Sequence, residues 1–214
     1  LDAARTPPVA FAYAEAGDLV GVLAHTRPDL ALLAVAEEES EVVRLPRRRW
    51  TQLMSDSPAI ASAVRDLAAF HEIAWALAQL AALREAPIPV RMRLAAKAEV
   101  RSASARQPVV RGEMRLDAAG VLLSGKAAYV LIRHNRARVL KTITPGEIVG
   151  LVRYPEEESG LAPADVVALT PTRWAWIPQS QWMAAMASHP KLALALMEWR
   201  EETWQAIAEA AARR

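Results

Sequence analysis

Residues 120–150 read GVLLSGKAAYVLIRHNRARVLKTITPGEIVG, and this stretch decides the fold. Its apolar runs are short and are separated by the turn dipeptides Ser124-Gly125, His134-Asn135 and Pro145-Gly146. Short β-branched or aromatic runs bounded by Gly, Pro and Asn are typical of β-strands joined by tight turns. Several such strands at regular spacing predict a barrel or a sandwich.

The same strand pattern extends to both sides of this stretch, and helical patterns follow it. In the second half of the chain we predict strands at 109–110, 120–123, 127–132, 139–143, 166–169 and 174–177. In the first half we predict them at 9–13, 30–36 and 41–45. Helices are expected to begin near Pro46 and Pro178, because proline suits the first helical turn.

The chain contains an internal repeat. Residues 45–58, LPRRRWTQLMSDSP, recur 132 residues later as 177–190, IPQSQWMAAMASHP, with the Pro, Trp, Met and Pro positions retained. Upstream, 16–21 (AGDLVG) matches 145–150 (PGEIVG). Two matches in the same order indicate two copies of one supersecondary unit.

A domain boundary is predicted between the copies, at Pro87 and Pro89, since two closely spaced prolines end a helix. The first domain would be 1–85 and the second 86–214. Copy two has a long strand-rich stretch before Gly146, whereas copy one has only 16 residues before Gly17. We therefore expect 1–85 to be the back half of a domain with its helices, and the chain to be part of a longer protein.

Composition excludes several classes of function. The 214 residues include 26 basic and 24 acidic side chains and no cysteine, which excludes disulfides, thiolate nucleophiles and Cys-ligated zinc and fits a cytoplasmic protein. A net charge of +2 attracts polyanions little, and the basic run Arg47-Arg48-Arg49 has no second cluster beside it, so we expect no nucleic acid partner.

No apolar run reaches the roughly 18 residues of a membrane span. The Ala-, Arg- and Leu-rich composition suggests a bacterial source.

Catalytic patterns are absent from the sequence. The four histidines, at 25, 71, 134 and 189, lack metal-ligand spacing, and no nucleophile elbow, Walker loop or G-x-G-x-x-G occurs. The acidic runs 37–39 and 156–158 are typical of solvated turns. We expect no enzymatic activity, no bound metal and no cofactor.

The order of the motifs resembles the cyclic nucleotide-binding domain family, the β-roll of catabolite activator transcription factors, kinase regulatory subunits and cyclic-nucleotide-gated channels. The resemblance covers about 90–210 in copy two, through 120–130, 144–150, 168–171 and Trp182, and about 9–83 in copy one. It implies an α+β, mainly β fold: a jelly-roll-like β-roll of short antiparallel strands with flanking helices, in tandem, with the first copy truncated.

The resemblance also implies a phosphate-binding cassette. Its candidate ligand residues are Gly146, Glu147, Gly150, Leu151, Arg153, Ala162 and Pro163 in copy two, and Gly17, Gly21 and Arg27 in copy one. The family holds the ribose with a Glu and the cyclic phosphate with an Arg, and this sequence has Leu151 and Ala162 at those positions. A buried phosphate without a guanidinium is costly, so we do not expect either copy to bind cyclic AMP or cyclic GMP.

Two features of the cassette leave alternatives open. The glycines fit tight turns, but they also stand where a family member brings its backbone close to a phosphate. Arg153 and Arg27 fit solvated loop arginines, but either could reach an anion from a new direction.

The function predicted from these residues is a non-enzymatic regulatory or scaffolding module that acts by protein–protein docking within a larger protein or assembly. Trp199 and Trp204 on the C-terminal helix are expected to mark the interface with a protein partner or a second copy, since Trp is enriched at interfaces. The alternative is a sensor of a small molecule or a non-standard cyclic nucleotide, because the glycine frame of the cassette is retained.

Overall fold

A computed structural model describes residues 9–112, 116–133, 136–150 and 164–213. The chain divides into two compact units, which we describe separately. The roll unit comprises Leu1–Ala12 and Ile73–Arg214, and the N-terminal unit comprises Tyr13–Glu72. The predicted domains 1–85 and 86–214 stay a prediction.

Helices make up about half of the N-terminal unit and flank the strands of the roll unit. The helices are α1 Val22–Thr26, α2 Arg47–Asp56, α3 Pro58–Gln79, α4 Ala81–Arg84, α5 Ile88–Ala96, α6 Gln179–Ser188 and α7 Pro190–Ala212. The strands are β1 Glu99–Ala103, β2 Pro108–Val110, β3 Ala118–Ser124, β4 Ala127–Arg133, β5 Arg136–Ile143, β6 Ile148–Val149, β7 Asp165–Ala168 and β8 Thr172–Pro178. None of the helices in the described ranges is long and apolar enough to cross a membrane.

The strands form two antiparallel four-stranded sheets, which confirms the predicted β-roll with flanking helices. One sheet has the order β1-β8-β3-β6 and the other β2-β7-β4-β5. Strand β8 pairs with a neighbour on each edge, so that Trp176 lies opposite Glu99 of β1 and Gly120 of β3. Every strand predicted in the second half of the chain is present, while β1 and β6 were not predicted.

The core of the roll is built around two tryptophans of β8. Trp174 and Trp176 are two residues apart, so they share a face of the strand, and their ring centroids lie 6.2 Å apart. The Trp174 indole N–H donates to Thr172 Oγ1 at 3.0 Å, which satisfies its buried polar group. Buried Leu122, Tyr129 and other apolar side chains from both sheets pack in the same cluster. The interior of the roll is therefore filled with apolar and aromatic side chains.

The helices of the N-terminal unit reproduce the internal repeat. Helices α2 and α6 begin directly after Pro46 and Pro178, and α3 and α7 begin at Pro58 and Pro190, which keeps the 132-residue offset of the sequence. Val22, Val64 and Ala68 form a small buried cluster in this unit. The copies thus share their helices, while a tandem of two rolls remains a prediction.

The strands predicted at 9–13, 30–36 and 41–45 are not formed, and this part of the prediction was wrong. All three segments are described, and none of their residues is in a strand. A strand exists only where its backbone groups bond to a partner strand. Among the described residues, none of these three segments has a partner strand.

A buried arginine fixes the connection between α4 and α5. Arg91 is 3 % exposed, and its Nη1 donates to the carbonyl oxygens of Leu83, Arg84 and Ala86 at 2.8–3.1 Å. Its Nη2 donates to the carbonyl of Ala10 at 2.6 Å. The last carbonyls of a helix lack partners within that helix, so one guanidinium binds the carbonyls at the end of α4 and also the backbone at Ala10.

We expect Arg91→Met to lower the free energy of unfolding of the roll unit by about 3 kcal/mol, because buried hydrogen bonds from a charged donor are lost together. Urea unfolding followed by tryptophan fluorescence measures the change. Arg93→Met on the same helix is the control, since Arg93 is exposed. Equal losses for the two variants would contradict the assigned role of Arg91.

Candidate functional site

The turn between β5 and β6 carries the candidate residues Gly146 and Glu147. The Glu147 carboxylate accepts hydrogen bonds from the backbone N–H of Thr144 at 2.6 Å and from its hydroxyl at 2.8 Å. Its other oxygen lies 3.2 Å from Lys141 Nζ. Gly146 N donates to the Leu122 carbonyl at 2.9 Å, which ties the turn to β3. Both oxygens of Glu147 are thus engaged in closing its own turn.

Gly146 in this turn and Gly150 directly after β6 both have left-handed backbones, and their surroundings differ. Gly146 has a φ of +87°, and a Cβ added to it would meet only Gln79 Cβ at 3.7 Å. Gly150 has a φ of +91°, and an added Cβ would lie 2.9 Å from the carbonyl oxygen of Ala118. Gly150 is therefore required by the close approach of β3 as well as by its φ, and no ligand is needed to explain either glycine.

Four of the predicted ligand residues, Leu151, Arg153, Ala162 and Pro163, lie outside the described residues.

A shallow groove of about 280 Å³ opens beside the Gly146 turn. It is lined by Gln79 to Ala82, by residues 145–148 and by Trp199 of α7. Glu147 is the charged residue among these lining residues, and no Lys or Arg lines the groove. The ammonium of Lys141 beside Glu147 is engaged by that carboxylate, so the described lining offers an anion no unpaired cation, and this groove does not suit a phosphate group.

The candidate glycines of copy one have backbone dihedral angles similar to those of the matching glycines in copy two. Gly17 and Gly21 have φ values of +95° and +90°, close to those of Gly146 and Gly150. Gly21 stands at the start of α1. The repeat of the AGDLVG and PGEIVG motifs is thus also a repeat of local conformation. Neither Gly17 nor Gly21 has an atom within 4 Å of an added Cβ.

Arg27, the candidate anion-binding residue of copy one, is bound by carboxylates. Its Nε and Nη2 donate to Asp29 at 2.9 and 2.7 Å, and its Nη1 lies 3.3 Å from Glu72 Oε1. The hydrogen bond to Asp29 is the main cause that raises the pKa of Arg27, and it lowers the pKa of Asp29. An anion at Arg27 would have to displace Asp29, so the guanidinium serves as an ion-pair partner. The sequence offered no sign of Glu72, which is 45 residues away.

One polar group inside the roll was missed by the sequence analysis. Tyr129 on β4 is 2 % exposed, and within the described ranges its buried hydroxyl has no hydrogen-bond partner. Burial, with a smaller effect from the Glu147 carboxylate, raises the pKa of this phenol. The hydroxyl therefore stays protonated and available as a donor inside an apolar core.

The C-terminal tryptophans contact the roll. Trp199 and Trp204 on α7 are partly buried and pack against the core cluster of the roll. Leu194 and Met197 of the same helix are exposed, at 59 % and 55 %. The tryptophans thus hold α7 on the roll, while other apolar residues of the helix face outward.

In the part of the chain that the structure describes, no group of three His, Asp or Glu side chains could hold a metal ion.

We expect Gly150→Ala to destabilise the roll unit by about 2–3 kcal/mol and Gly146→Ala by about 1 kcal/mol. Both substitutions strain a positive φ, but only the Gly150 substitution also places a Cβ against a backbone carbonyl of β3. Urea unfolding measures the difference between the variants. Equal losses would show that the approach of β3 does not constrain Gly150.

Comparisons with known proteins support the fold. No known protein-family model matches the sequence, and no curated protein sequence is similar to it. Several solved structures are similar to this chain in fold. A cyclic nucleotide-binding domain from Methylobacillus flagellatus aligns with 67 % of this chain and 81 % of its own, at 17 % identity and a TM-score of 0.51. The regulatory subunit of a cAMP-independent protein kinase A from Trypanosoma brucei aligns with 66 % of this chain and 49 % of its own, at 14 % identity and a TM-score of 0.53.

The regulatory domain of Toxoplasma gondii PKA, solved with cAMP, aligns over 54 % of this chain and 44 % of its own, at 13 % identity and a TM-score of 0.48. The chain thus spans about half the length of the two kinase regulatory proteins. At these identities the likeness is one of fold. The resemblance inferred from the motifs is confirmed at that level: the chain contains a domain with the β-roll fold of cyclic nucleotide-binding domains.

Proposed function

We propose that this chain is a non-enzymatic regulatory or scaffolding module that acts by protein–protein docking within a larger protein or assembly. Its β-roll serves as a packed scaffold and does not sense cyclic AMP or cyclic GMP. The fold is one that a kinase regulatory subunit and a cyclic nucleotide-binding domain also have.

The observation that carries this proposal is that the charged candidate residues within the described ranges are already engaged by protein groups. Glu147 bonds to Thr144 and Lys141, and Arg27 bonds to Asp29 and Glu72. A ligand would have to break these interactions before it could use either side chain. Hydrogen bonds to charged groups contribute about 1.5–3 kcal/mol each, so this exchange is costly.

The sequence and the core packing support the same conclusion. Leu151 and Ala162 stand where the family resemblance calls for the ribose-binding Glu and the phosphate-binding Arg. Inside the roll, the space between the sheets holds Trp174, Trp176 and Leu122. Moving a phosphate anion into such surroundings without a paired cation is strongly unfavourable.

Docking is supported by the outward face of α7. The helix is held on the roll by Trp199 and Trp204, which fixes the direction in which its exposed residues point. Leu194 and Met197 lie three residues apart and are both exposed, so they share one face of the helix. An exposed apolar face on a helix that packs against the roll is a suitable surface for a partner protein.

Isothermal titration calorimetry with cyclic AMP and cyclic GMP tests the proposal. We expect no binding at ligand concentrations up to about 1 mM, a threshold that corresponds to only about 4 kcal/mol of binding free energy. The Arg27→Ala and Arg153→Ala variants are measured alongside, with the same result expected. Micromolar binding that either variant abolishes would contradict a scaffold without a nucleotide site.

A second function, a sensor of a small molecule or a non-standard nucleotide, is favoured by the Tyr129 hydroxyl. This donor is buried and unpartnered among the described residues, and a ligand that entered the roll could accept its hydrogen bond. Thermal unfolding with a panel of cyclic dinucleotides and nucleoside monophosphates separates the two functions. A shift in Tm that Tyr129→Phe removes would support the sensor, whereas an unchanged Tm across the panel supports the scaffold.

A further inference from the structure

A second groove opens at the end of the roll unit where three turns meet, and we call it the turn groove. The turns join β1 to β2, β3 to β4, and β7 to β8. Its volume is about 340 Å³, and among the described residues it shares no lining residue with the groove beside Gly146. Residues of β1, β3 and β8 surround the opening. The polar residues that line it are Ser102, Ser104, Gln107, Ser124, Thr172 and Arg173.

Backbone hydrogen bonds join the three turns to one another. Arg106 N donates to the Ala168 carbonyl at 2.7 Å, and Ala168 N donates to the Gln107 carbonyl at 3.0 Å, which ties the β1–β2 turn to the end of β7. Leu169 N donates to the Lys126 carbonyl at 2.8 Å, which ties the β7–β8 turn to the β3–β4 turn. The walls of the turn groove are therefore held in place by the fold, so a ligand has little structure to order when it binds.

Arg173 lies at the centre of a polar row that crosses three strands. It is the register partner of Ser102 on β1 and of Ser124 on β3. Directly opposite residues of antiparallel strands share a face of the sheet. The next residue, Trp174, belongs to the core of the roll, so Arg173 lies on the outer face of its sheet. The half-buried guanidinium of Arg173 thus has a serine hydroxyl on the strand to each side.

The charges at this end of the roll all have one sign. The three turns and the strand ends beside them, 102–108, 123–127 and 168–173, contain three basic residues and no Asp or Glu. Two of the basic residues, Arg106 and Lys126, are exposed on the turns. None of the described lining residues of the turn groove is acidic. Charges of one sign around a concave surface raise the local concentration of ions of the opposite sign.

We propose that the turn groove binds a dianionic phosphate group. The planar fork of Arg173 binds phosphate oxygens, and the hydroxyls of Ser102 and Ser124 donate to the group from the strands on either side. A guanidinium has five N–H donors, so it can bind a phosphate alongside another partner.

The shape of the donor set favours phosphate over carboxylate. The three terminal oxygens of a phosphate group point in different directions, which matches donors that come from three strands. A carboxylate has two oxygens in one plane, and a guanidinium fork alone occupies both. A small phosphorylated compound and a phosphorylated side chain of a partner protein supply the same group. The inference goes beyond the proposed function and uses no residue of the cassette.

Titration of the nitrogen-15-labelled chain with inorganic phosphate, followed by amide chemical shifts, tests the site. Chloride holds the ionic strength constant, because salt screens exposed charges. We expect saturable shifts confined to residues 102–107, 124–126 and 169–173, with a dissociation constant of about 1 mM. Acetate at the same ionic strength should give no saturation at these residues.

A peptide with one phosphoserine, and the same peptide unmodified, distinguish the two sources of the group. Tighter binding of the phosphopeptide than of inorganic phosphate supports the site and assigns it to a partner's side chain. Equal or weaker binding of the phosphopeptide supports the site and assigns it to a small phosphorylated compound. The unmodified peptide should not bind the turn groove.

Substitutions in the polar row test the assigned contacts. Arg173→Gln should weaken phosphate binding at least about tenfold, and Arg173→Lys, which keeps the charge but loses the fork, should weaken it about threefold. Ser102→Ala should also weaken it about threefold, because one neutral hydrogen bond is lost. Arg101→Gln is the matched control, since it removes the same charge from β1 on the face opposite Ser102, where the guanidinium lies 5.9 Å from the Trp176 ring centroid.

The control should bind phosphate as the unchanged chain does. Shifts that do not saturate, or binding that Arg173→Gln and Arg101→Gln weaken equally, overturn the inference. Thermal unfolding followed by tryptophan fluorescence checks that each variant is folded, and Arg173→Lys with Ser102→Ala carries the test if Arg173→Gln unfolds. The calorimetric test with cyclic AMP and cyclic GMP stays independent, because a cyclic phosphodiester has a single negative charge and its variants are at Arg27 and Arg153.

Discussion

The double pairing of β8 is the interaction on which the roll depends. This strand bonds to β1 and β3 on its two edges, and it brings Trp174 and Trp176 into the space between the sheets. Removing it would divide its sheet and leave β1 without a strand partner, because β1 pairs with β8 alone in that sheet. One strand thus supplies both the continuity of the hydrogen bonding and the largest side chains of the core.

The first copy of the repeat shows that residues with a strand-like pattern do not form a strand by themselves. Residues 41–45 are as apolar and β-branched as a strand requires, yet they are exposed and lie in no strand. Their helices, by contrast, form at the same offset as in copy two. An α-helix closes its backbone hydrogen bonds within its own segment, whereas a strand closes them only with a neighbour. A helical pattern can therefore form within its own segment, whereas a strand pattern forms a strand only beside a partner strand.

The same distinction sets how much of the fold and site the sequence could predict. The strands of the roll and the helices after Pro46 and Pro178 follow from local pattern and from the repeat, whereas the arrangement of the strands as a β-roll was predicted from the family resemblance. The pairing of Arg27 with Glu72 depends on the packing of residues that are distant along the chain. The unpartnered hydroxyl of Tyr129 likewise depends on packing, since an alternating strand pattern places Tyr129 inside without indicating what meets its oxygen. Spacing in a sequence carries no information about such contacts.

The glycine frame and the charges of the cassette have different physical origins, and this explains why one can persist without the other. Gly150 is required because β3 leaves no room for a Cβ, and a side chain there would damage the roll with or without a ligand. A ribose-binding carboxylate or a phosphate-binding guanidinium contributes to affinity and costs stability when it is buried unpaired. Under the proposed function, the roll keeps its turn glycines because the fold requires them, while Leu151 and Ala162 stand where the family resemblance places the ligand charges. Retained turn glycines such as Gly150 are therefore evidence for the fold. Only charged residues placed to contact a ligand are evidence for that ligand.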